Sequence, residues 1–209
     1  MVRIMFEDVG LRFGEKEIFR SLDAELVSGR IAVVTGRNGS GKSTFLRLAA
    51  RLAMPDTGRV TAEAEGKPLE KEAYRSRLAM VTPEMKLYPR LTAEENLRFL
   101  LGLRGKEISG ESVGHLWRRV GLAPEEVAGA FAGQLSTGMR QRVKLAVLFA
   151  LDADLWMLDE PCANLDAKGA QMLMGEVRQA ASQGKLVLWA TNTPGEEEIA
   201  DEVIRLSGN

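Results

Sequence analysis

The stretch G-R-N-G-S-G-K-S at residues 36–43 decides the fold. It matches the pattern G-x-x-x-x-G-K-[ST], in which glycines let the backbone turn so tightly that successive N–H groups point at one anion. A short β-branched apolar run at 31–35 precedes it, and apolar residues at helical spacing follow it up to Pro55. This context predicts a strand, a phosphate-binding loop and a helix, with Lys42 reaching phosphate oxygens and Ser43 holding Mg²⁺.

Short apolar strands alternate with amphipathic helices along the rest of the chain. Strands are predicted at 2–19 (a pair around Gly14), 59–64, 78–81, 155–158, 186–191 and 203–206. Helical segments are predicted at 92–133, at 136–151 with Ser136 as N-cap, at 166–183 closed by Gly184, and in a short stretch before the last strand. Such alternation favours an α/β sheet covered by helices on both faces.

The composition excludes several classes of protein. Of 209 residues, 45% are hydrophobic and 27% charged, which is the balance of a globular chain rather than a disordered one. The net charge of −1 gives no electrostatic reason to expect nucleic acid or anionic lipid as a partner. One cysteine, Cys162, and one histidine, His115, exclude an internal disulfide and a Cys/His zinc cluster. No signal peptide is recognised, and no apolar run approaches the roughly 20 residues of a membrane span.

Two acids follow the apolar run at 155–158. This places Asp159 and Glu160 at the carboxyl edge of a buried strand, where open α/β sheets bind their ligands. Asp159 suits a magnesium site, and Glu160 suits a general base or a group that orients the attacking water.

A third motif, L-S-T-G-M-R-Q-R at 135–142, opens a predicted helix. A serine cap at Ser136 and the small Gly138 let an anion approach the positive end of the helix, which suits phosphate. Arg140 and Arg142 on the same helix are interpreted as a solvated face.

The order of these motifs, completed by A-N-L-D at 163–166, resembles the ATP-binding cassette (ABC) family. The resemblance covers nearly the whole chain and includes the small single cassettes of haem export in cytochrome c maturation and of ABC-2-type exporters. It implies an α/β P-loop NTPase with a RecA-like core sheet, an antiparallel β subdomain and an inserted helical lobe. One ABC ATPase domain would span 1–209, with the core and β subdomain at 1–84 and 135–209 and the lobe at 85–134.

The family implies a function and a set of partners. The chain would bind ATP and Mg²⁺, hydrolyse ATP, pair head to tail with a second cassette, and energise separate membrane-spanning subunits from the cytoplasmic face of the inner or plasma membrane. Neither nucleic acid nor direct membrane insertion is expected. A Met85–Tyr88 patch lies where the family docks its membrane subunit, although burial in the lobe is an equal alternative.

Site residues follow from the resemblance by position. ATP contacts are assigned to Gly36, Arg37, Asn38, Gly39, Ser40, Gly41, Lys42, Ser43 and Thr44. Ser136 and Gly138 would contact the γ-phosphate of the second cassette, and Asp166 would couple the two sites. Phe13 would stack on adenine, the alternative being a core strand residue.

Two positions depart from the family. Pro83 stands where a glutamine usually reaches the magnesium and the attacking water, and proline has no side-chain donor or acceptor. Its neighbour Glu84 could ligate Mg²⁺ after a one-residue shift of the loop, or could be merely solvated. Asn192 replaces the switch histidine, so its amide can donate to phosphate but carries no proton or charge at pH 7. With Glu160 and Lys42 retained, we expect hydrolysis to be slow.

Other functions remain open at this point. A degenerate regulatory subunit paired with an intact cassette is favoured by Pro83 and Asn192 and opposed by Glu160. A soluble cassette of the repair or translation type usually has tandem cassettes, coiled-coil insertions or basic patches, which are not visible. A phosphate-loop kinase has no use for the motif at 135–142.

Overall fold

The computed structural model describes residues 1–206. The chain divides into two compact units. The first contains residues 1–78, 154–160 and those from 177 onward, and the second contains residues 79–153 and 161–176. The sequence-based division into a core at 1–84 and 135–209 and a lobe at 85–134 remains a prediction.

Nine strands and seven α-helices are described. The strands are β1 (Val2–Phe13), β2 (Lys16–Val27), β3 (Ile31–Thr35), β4 (Thr57–Ala64), β5 (Lys67–Pro68), β6 (Leu78–Val81), β7 (Leu155–Asp159), β8 (Leu186–Thr191) and β9 (Glu202–Arg205). The helices are α1 (Lys42–Ala49), α2 (Lys71–Ser76), α3 (Ala93–Gly102), α4 (Gly110–Arg119), α5 (Pro124–Val127), α6 (Thr137–Leu151) and α7 (Ala167–Ser182), with a 3₁₀ helix at Glu196–Ile199.

An antiparallel sheet with the strand order β2-β1-β4-β5 belongs to the first unit. Strand β1 alternates along its first half, so that Val2, Ile4 and Phe6 are buried on one face. The ring of Phe6 stacks on Phe45 of α1, with centroids 4.4 Å apart. This aromatic contact ties the sheet to the helix that follows the glycine-rich loop.

The second sheet has the order β6-β7-β8-β3-β9. Strand β3 pairs in parallel with β8 and β9, and β7 pairs in parallel with β8. Strands β7 and β8 are wholly buried, as expected of strands covered on both faces. In this register Thr35 lies beside Thr191, and Asp159 lies beside Ala190. The carboxyl ends of β3, β7 and β8 therefore meet at one edge of the sheet.

The second unit is mainly helical. Helix α3 begins with a capping box, in which Thr92 and Glu95 each bind the other's backbone N–H. The amide of the buried Asn96 donates to the carbonyls of Tyr88 and Leu91 and so fixes the preceding loop. Helix α6 packs against both α3 and α4 and buries most of its residues from Val143 onward.

Most predicted elements are confirmed, including the strand at Leu78–Val81 and the helix at Thr137–Leu151 with its Ser136 cap. Helix α1 is shorter than predicted because Arg51 adopts a left-handed φ of 54° that ends the helix well before Pro55. Helix α2 was not predicted, since Tyr74 is its one buried residue and gives no apolar periodicity. Among residues 1–206, no helix is long and apolar enough to cross a bilayer.

Candidate nucleotide-binding site

The glycine-rich loop joins β3 to α1 at the carboxyl edge of the parallel sheet. Gly39 and Gly41 have φ values of 77° and 100°, a region that side chains rarely adopt. A Cβ on Gly41 would also lie 2.7 Å from the Cγ2 atom of Ile18. Gly41 is the N-cap of α1 and supplies no side-chain hydrogen bond. Gly41 therefore caps none of the backbone N–H groups in the first turn of α1 with a side chain. Such N–H groups at a helix N-terminus suit the binding of an anion.

Lys42 places a buried cation inside this loop. Its side chain is 7% exposed, and its Nζ atom donates to the carbonyls of Gly36 (2.9 Å) and Arg37 (3.3 Å). Ser40 is also buried, and its Oγ atom has no hydrogen-bond partner. A buried ammonium and an unsatisfied hydroxyl fit a ligand rich in oxygen acceptors, such as a polyphosphate. Ser43 and Thr44 follow on α1 with half-buried side chains.

Glu160 faces the same lysine from the end of β7. Its Oε1 atom lies 3.9 Å from Nζ of Lys42, and its backbone N–H donates to the carbonyl of Ala190 at 2.9 Å. Burial raises the pKa of Glu160, opposed by a hydrogen bond from the Asn192 backbone and by Lys42, while the charges of Asp159 and Glu196 raise it further. Asp159 itself is buried. The carboxylate of Glu160 thus binds a proton more readily than an exposed glutamate would.

Asn192 follows β8 and contacts the glycine-rich loop directly. Its Nδ2 atom donates to Oδ1 of Asn38 at 2.7 Å. A cavity of about 640 Å³ opens where these two segments meet. It is lined by Thr35, Gly36, Arg37, Asn38, Thr191, Asn192, Thr193, Pro194 and Glu197. The structure therefore brings the loop, Glu160 and Asn192 together within the first unit.

Phe13 ends β1 with 58% of its side chain exposed. The alternative that it is a core strand residue is therefore wrong, while stacking on adenine remains a prediction. Across the turn it pairs with Lys16, whose Nζ atom donates to the carbonyl of Gly39 at 3.2 Å. The β1–β2 turn thus contacts the glycine-rich loop through a lysine that sequence analysis did not single out.

The remaining site residues lie in the second unit. Ser136 caps α6, its Oγ atom accepting from the N–H of Met139 at 3.1 Å. Gly138 lies so close to the loop before α7 that a Cβ there would be 2.9 Å from the carbonyl oxygen of Asn164. Asp166 accepts from the N–H of Gly169 at 2.8 Å, which lowers the pKa of Asp166.

Glu84 and Pro83 are exposed in the loop after β6. The charge of Glu84 acts on Lys144 of α6, whose Nζ atom donates to the carbonyl of Thr82 at 3.3 Å. Burial, together with the charge of Arg140, lowers the pKa of Lys144. Glu84 therefore belongs to the electrostatic surroundings of α6, and its role at a metal remains a prediction.

Besides Lys16, the contacts of two more residues were not predicted from the sequence. Glu196 is buried in the 3₁₀ helix, where its Oε2 atom accepts from Nε1 of Trp189 at 2.9 Å. Arg142 was interpreted as part of a solvated face, yet its side chain is 13% exposed and bonded to Asp166. No local sequence pattern marks either residue, because each contact depends on how distant segments pack.

Comparisons with known proteins find relatives along most of the chain. A family model described as ABC transporter matches residues 19–163. A cytochrome c biogenesis ATP-binding export protein CcmA from Agrobacterium fabrum is 36% identical over 212 residues, covering 94% of this chain and 92% of that protein. Its counterpart from Haemophilus influenzae is 32% identical over 186 residues, covering 89% and 87%.

Solved structures share the fold. A dimeric ATP-binding cassette in a post-hydrolysis state, bound to ADP and Pi, superposes with a TM-score of 0.83 at 24% identity, covering 98% of this chain and 94% of that one. The predicted fold class, an α/β P-loop NTPase cassette, is confirmed. Since the family model spans more than half of the sequence and the relatives align along most of their length, the chain belongs to the ABC transporter family of ATPases.

Proposed function

We propose that this chain is the ATP-hydrolysing subunit of an exporter of the cytochrome c biogenesis type. It would hold ATP on the loop at Gly36–Thr44, close on a second cassette, and drive separate membrane-spanning subunits. The relatives named above are export proteins of cytochrome c biogenesis, and this supports the choice of system. The dimeric cassette among the similar folds supports the pairing.

One observation carries the proposal: the buried Lys42 ammonium lies 3.9 Å from the Glu160 carboxylate at the sheet edge. Lys42 would leave the carbonyls of its own loop to bind β- and γ-phosphate oxygens, which are stronger acceptors. Glu160, with its raised pKa, would take a proton from the attacking water or orient that water. Bound Mg²⁺ would neutralise charge on the phosphates, and Ser43 and Asp159 would hold it.

The second unit would act on the nucleotide of the other cassette. Ser136 and Gly138 open α6, where the positive end of the helix favours a phosphate. Asp166 directly precedes α7 and would lie in the loop that couples the two sites.

The exposed aromatic surface of the second unit supports docking of a membrane subunit. Tyr88 and Phe99 are 50% and 41% exposed, and their rings meet edge to face with centroids 5.0 Å apart. The neighbouring Met85 and Leu87 line a cavity of about 410 Å³. An apolar segment of a membrane partner would cover this surface and hold the chain at the cytoplasmic face.

A second candidate function is a regulatory cassette that binds ATP but turns it over poorly. It is favoured by the bond between Asn192 and Asn38, which engages the amide that would have to replace a histidine. Losing a positioned donor at a developing charge commonly costs about 10²–10³ in rate. Pro83 removes a further polar group from the loop after β6.

Steady-state ATPase of the purified chain with Mg²⁺ separates the two candidates. The native chain is compared with Glu160→Gln, Asn192→His and Pro83→Gln, and nucleotide binding is measured for each. Turnover that Glu160→Gln abolishes supports the motor. Binding without turnover, with activity restored by Asn192→His or Pro83→Gln, supports the regulatory cassette. No nucleotide binding by a folded native chain contradicts both.

A further inference from the structure

The guanidinium of Arg142 lies between three backbone segments of the second unit. Its Nη1 atom donates to the carbonyl of Val120 at 2.6 Å, at the turn after α4. Its Nη2 atom donates to Oδ1 of Asp166 at 2.6 Å, at the start of α7. Arg142 itself belongs to α6. One side chain thus joins α6 to the beginning of α7 and the end of α4.

Two glycines leave the space that this guanidinium fills. A Cβ on Gly121 would lie 2.4 Å from Nη1 of Arg142, and a Cβ on Gly169 would lie 2.7 Å from Nη2. Both separations are far shorter than a normal contact. The two acceptors are also bound by separate nitrogens of one planar fork, whereas a lysine would have to serve both acceptors from a single nitrogen. Gly121 and Gly169 therefore leave room for the guanidinium between α4 and α7.

The first two turns of α6 hold the segment 161–166 at three points. Nε2 of the buried Gln141 donates to the carbonyl of Pro161 at 2.8 Å. Gly138 lies against the carbonyl of Asn164, and Arg142 binds Asp166. Hydrogen bonds thus connect the beginning and the end of the segment to the same short stretch of helix, and the middle of the segment packs against Gly138.

We propose that Arg142 is a positioning residue that locks the segment 161–166 to the start of α6. This inference rests on the proposed pairing of cassettes, in which Ser136, Gly138 and Asp166 all face the second copy. With the lock in place, the two surfaces reach the other cassette as one preformed body, so no ordering cost is added when the pair closes. Without it, the segment must be ordered during closure.

The contact of Arg142 with Asp166, here called the lock, can be removed without preventing α7 from folding. Asp166 also accepts from the N–H of Gly169, so the helix retains its cap when Arg142 is replaced. Arg119 offers a matched control, since it forms an ion pair with Glu176 on α7 at 2.5 Å but does not contact residues 161–166 in the bonds described. Loss of that pair should affect stability without loosening the segment.

Cys162, half-buried within the segment, reports on the lock directly. It is the one cysteine of the chain, so the rate of its reaction with a thiol reagent such as DTNB measures how often the segment opens. Because a hydrogen bond to a charged group is lost, we expect Arg142→Gln and Arg142→Lys to accelerate labelling about 10-fold or more. Arg119→Gln should label at the native rate.

A second measurement follows pairing. In a Glu160→Gln background, which would retain ATP, dimer formation with ATP and Mg²⁺ is measured against protein concentration. We expect Arg142→Gln to weaken the dimer about 10-fold while the ATP affinity of the dilute monomer is unchanged. Asp166→Asn, which can still cap α7, should weaken the dimer in the same way.

The outcomes distinguish the lock from the proposed function. Native labelling rates in folded Arg142 variants overturn the lock, whatever the dimer does. Faster labelling with an unchanged dimer overturns its role in pairing. A parent chain that binds ATP but never dimerises overturns the proposed pairing, and with it the functional part of this inference, while the labelling result still decides whether Arg142 holds the segment.

Discussion

The two helices that would meet phosphate, α1 and α6, begin in opposite ways. The N-cap of α1 is Gly41, which has a left-handed φ and no side chain, and the next residue is a buried lysine. The N-cap of α6 is Ser136, whose hydroxyl already accepts from the third N–H of its helix. The first start is open to a ligand, whereas the second is capped by its own side chain.

This difference suggests a division of labour. A start without a side-chain cap gains most from an anion, so α1 should hold nucleotide by itself. A capped start is stable without ligand, and Ser136 must share its hydroxyl or rotate it to reach a phosphate. We therefore expect α1 to set affinity in the monomer and α6 to act only on closure.

The largest effect is expected at the open start, from Lys42→Met. Removing a charge-assisted contact should weaken ATP binding by about 10- to 100-fold and abolish turnover. Isothermal titration with ATP and Mg²⁺ measures the affinity. Lys16→Met, which removes the exposed lysine that binds the Gly39 carbonyl, is the matched control and should bind nearly as the native chain. Equal ATP affinities of the native chain and both variants would contradict the expectation that the start of α1 sets the affinity for nucleotide.

Replacing the glycines at the beginnings of α1 and α6 should lower the free energy of unfolding by unequal amounts. Gly41→Ala combines a φ of 100° with a Cβ 2.7 Å from Ile18, and we expect a loss of about 1–3 kcal/mol in the free energy of unfolding. Gly138→Ala has no strained φ and should cost less, pressing only on the carbonyl of Asn164. Urea denaturation of both variants tests this, and the reverse ranking would contradict it.

At the capped start, charge can be separated from capping. Ser136→Ala should lower stability by about 1 kcal/mol, because the cap is lost. Ser136→Asp and Ser136→Asn both restore the cap, yet only the aspartate repels a phosphate. We expect the aspartate variant alone to remain stable while failing to form the ATP-bound dimer. Normal dimerisation of Ser136→Asp would remove Ser136 from the phosphate contact.

The smallest effect is expected in the pH dependence of turnover. Glu160 must be ionised to act as a base, so activity should fall as the pH drops through its raised pKa. Glu196→Gln removes a negative charge that raises the pKa of Glu160, and its amide oxygen can still accept from Trp189. The acid limb of kcat should move to lower pH. Glu198→Gln, at an exposed position of the same 3₁₀ helix, should leave that limb in place.

Much of the fold could be predicted because its signals are local. The β3 run, the glycine-rich loop and the cap of α6 each occupy a few consecutive residues. Helix α2 was missed since its one buried residue, Tyr74, provides no periodicity. The premature end of α1 depends on the left-handed Arg51, whose Nη1 atom donates to the distant carbonyl of Leu69 at 2.7 Å. A contact between residues this far apart in the chain leaves no pattern in the sequence around Arg51.

The same distinction holds for the site. The residues assigned by motif, such as Lys42 and Glu160, do approach each other, because parallel strands end at one edge. Arg142 was misinterpreted because its partner Asp166 lies 24 residues away and its second acceptor is a backbone carbonyl. Without knowledge of its partner, the sequence does not distinguish an arginine on a solvated helix face from one whose guanidinium is buried.

The amide at position 192 has a chemical consequence beyond rate. Where a histidine would titrate near neutrality, the Asn192 amide stays neutral, so a change of pH does not alter its capacity to donate a hydrogen bond. His115, the one imidazole of the chain, is a mostly exposed residue of α4. Acylation of imidazole with diethyl pyrocarbonate should therefore leave the ATP turnover of this chain unchanged. The same reagent would inhibit an ATPase whose turnover depends on a histidine.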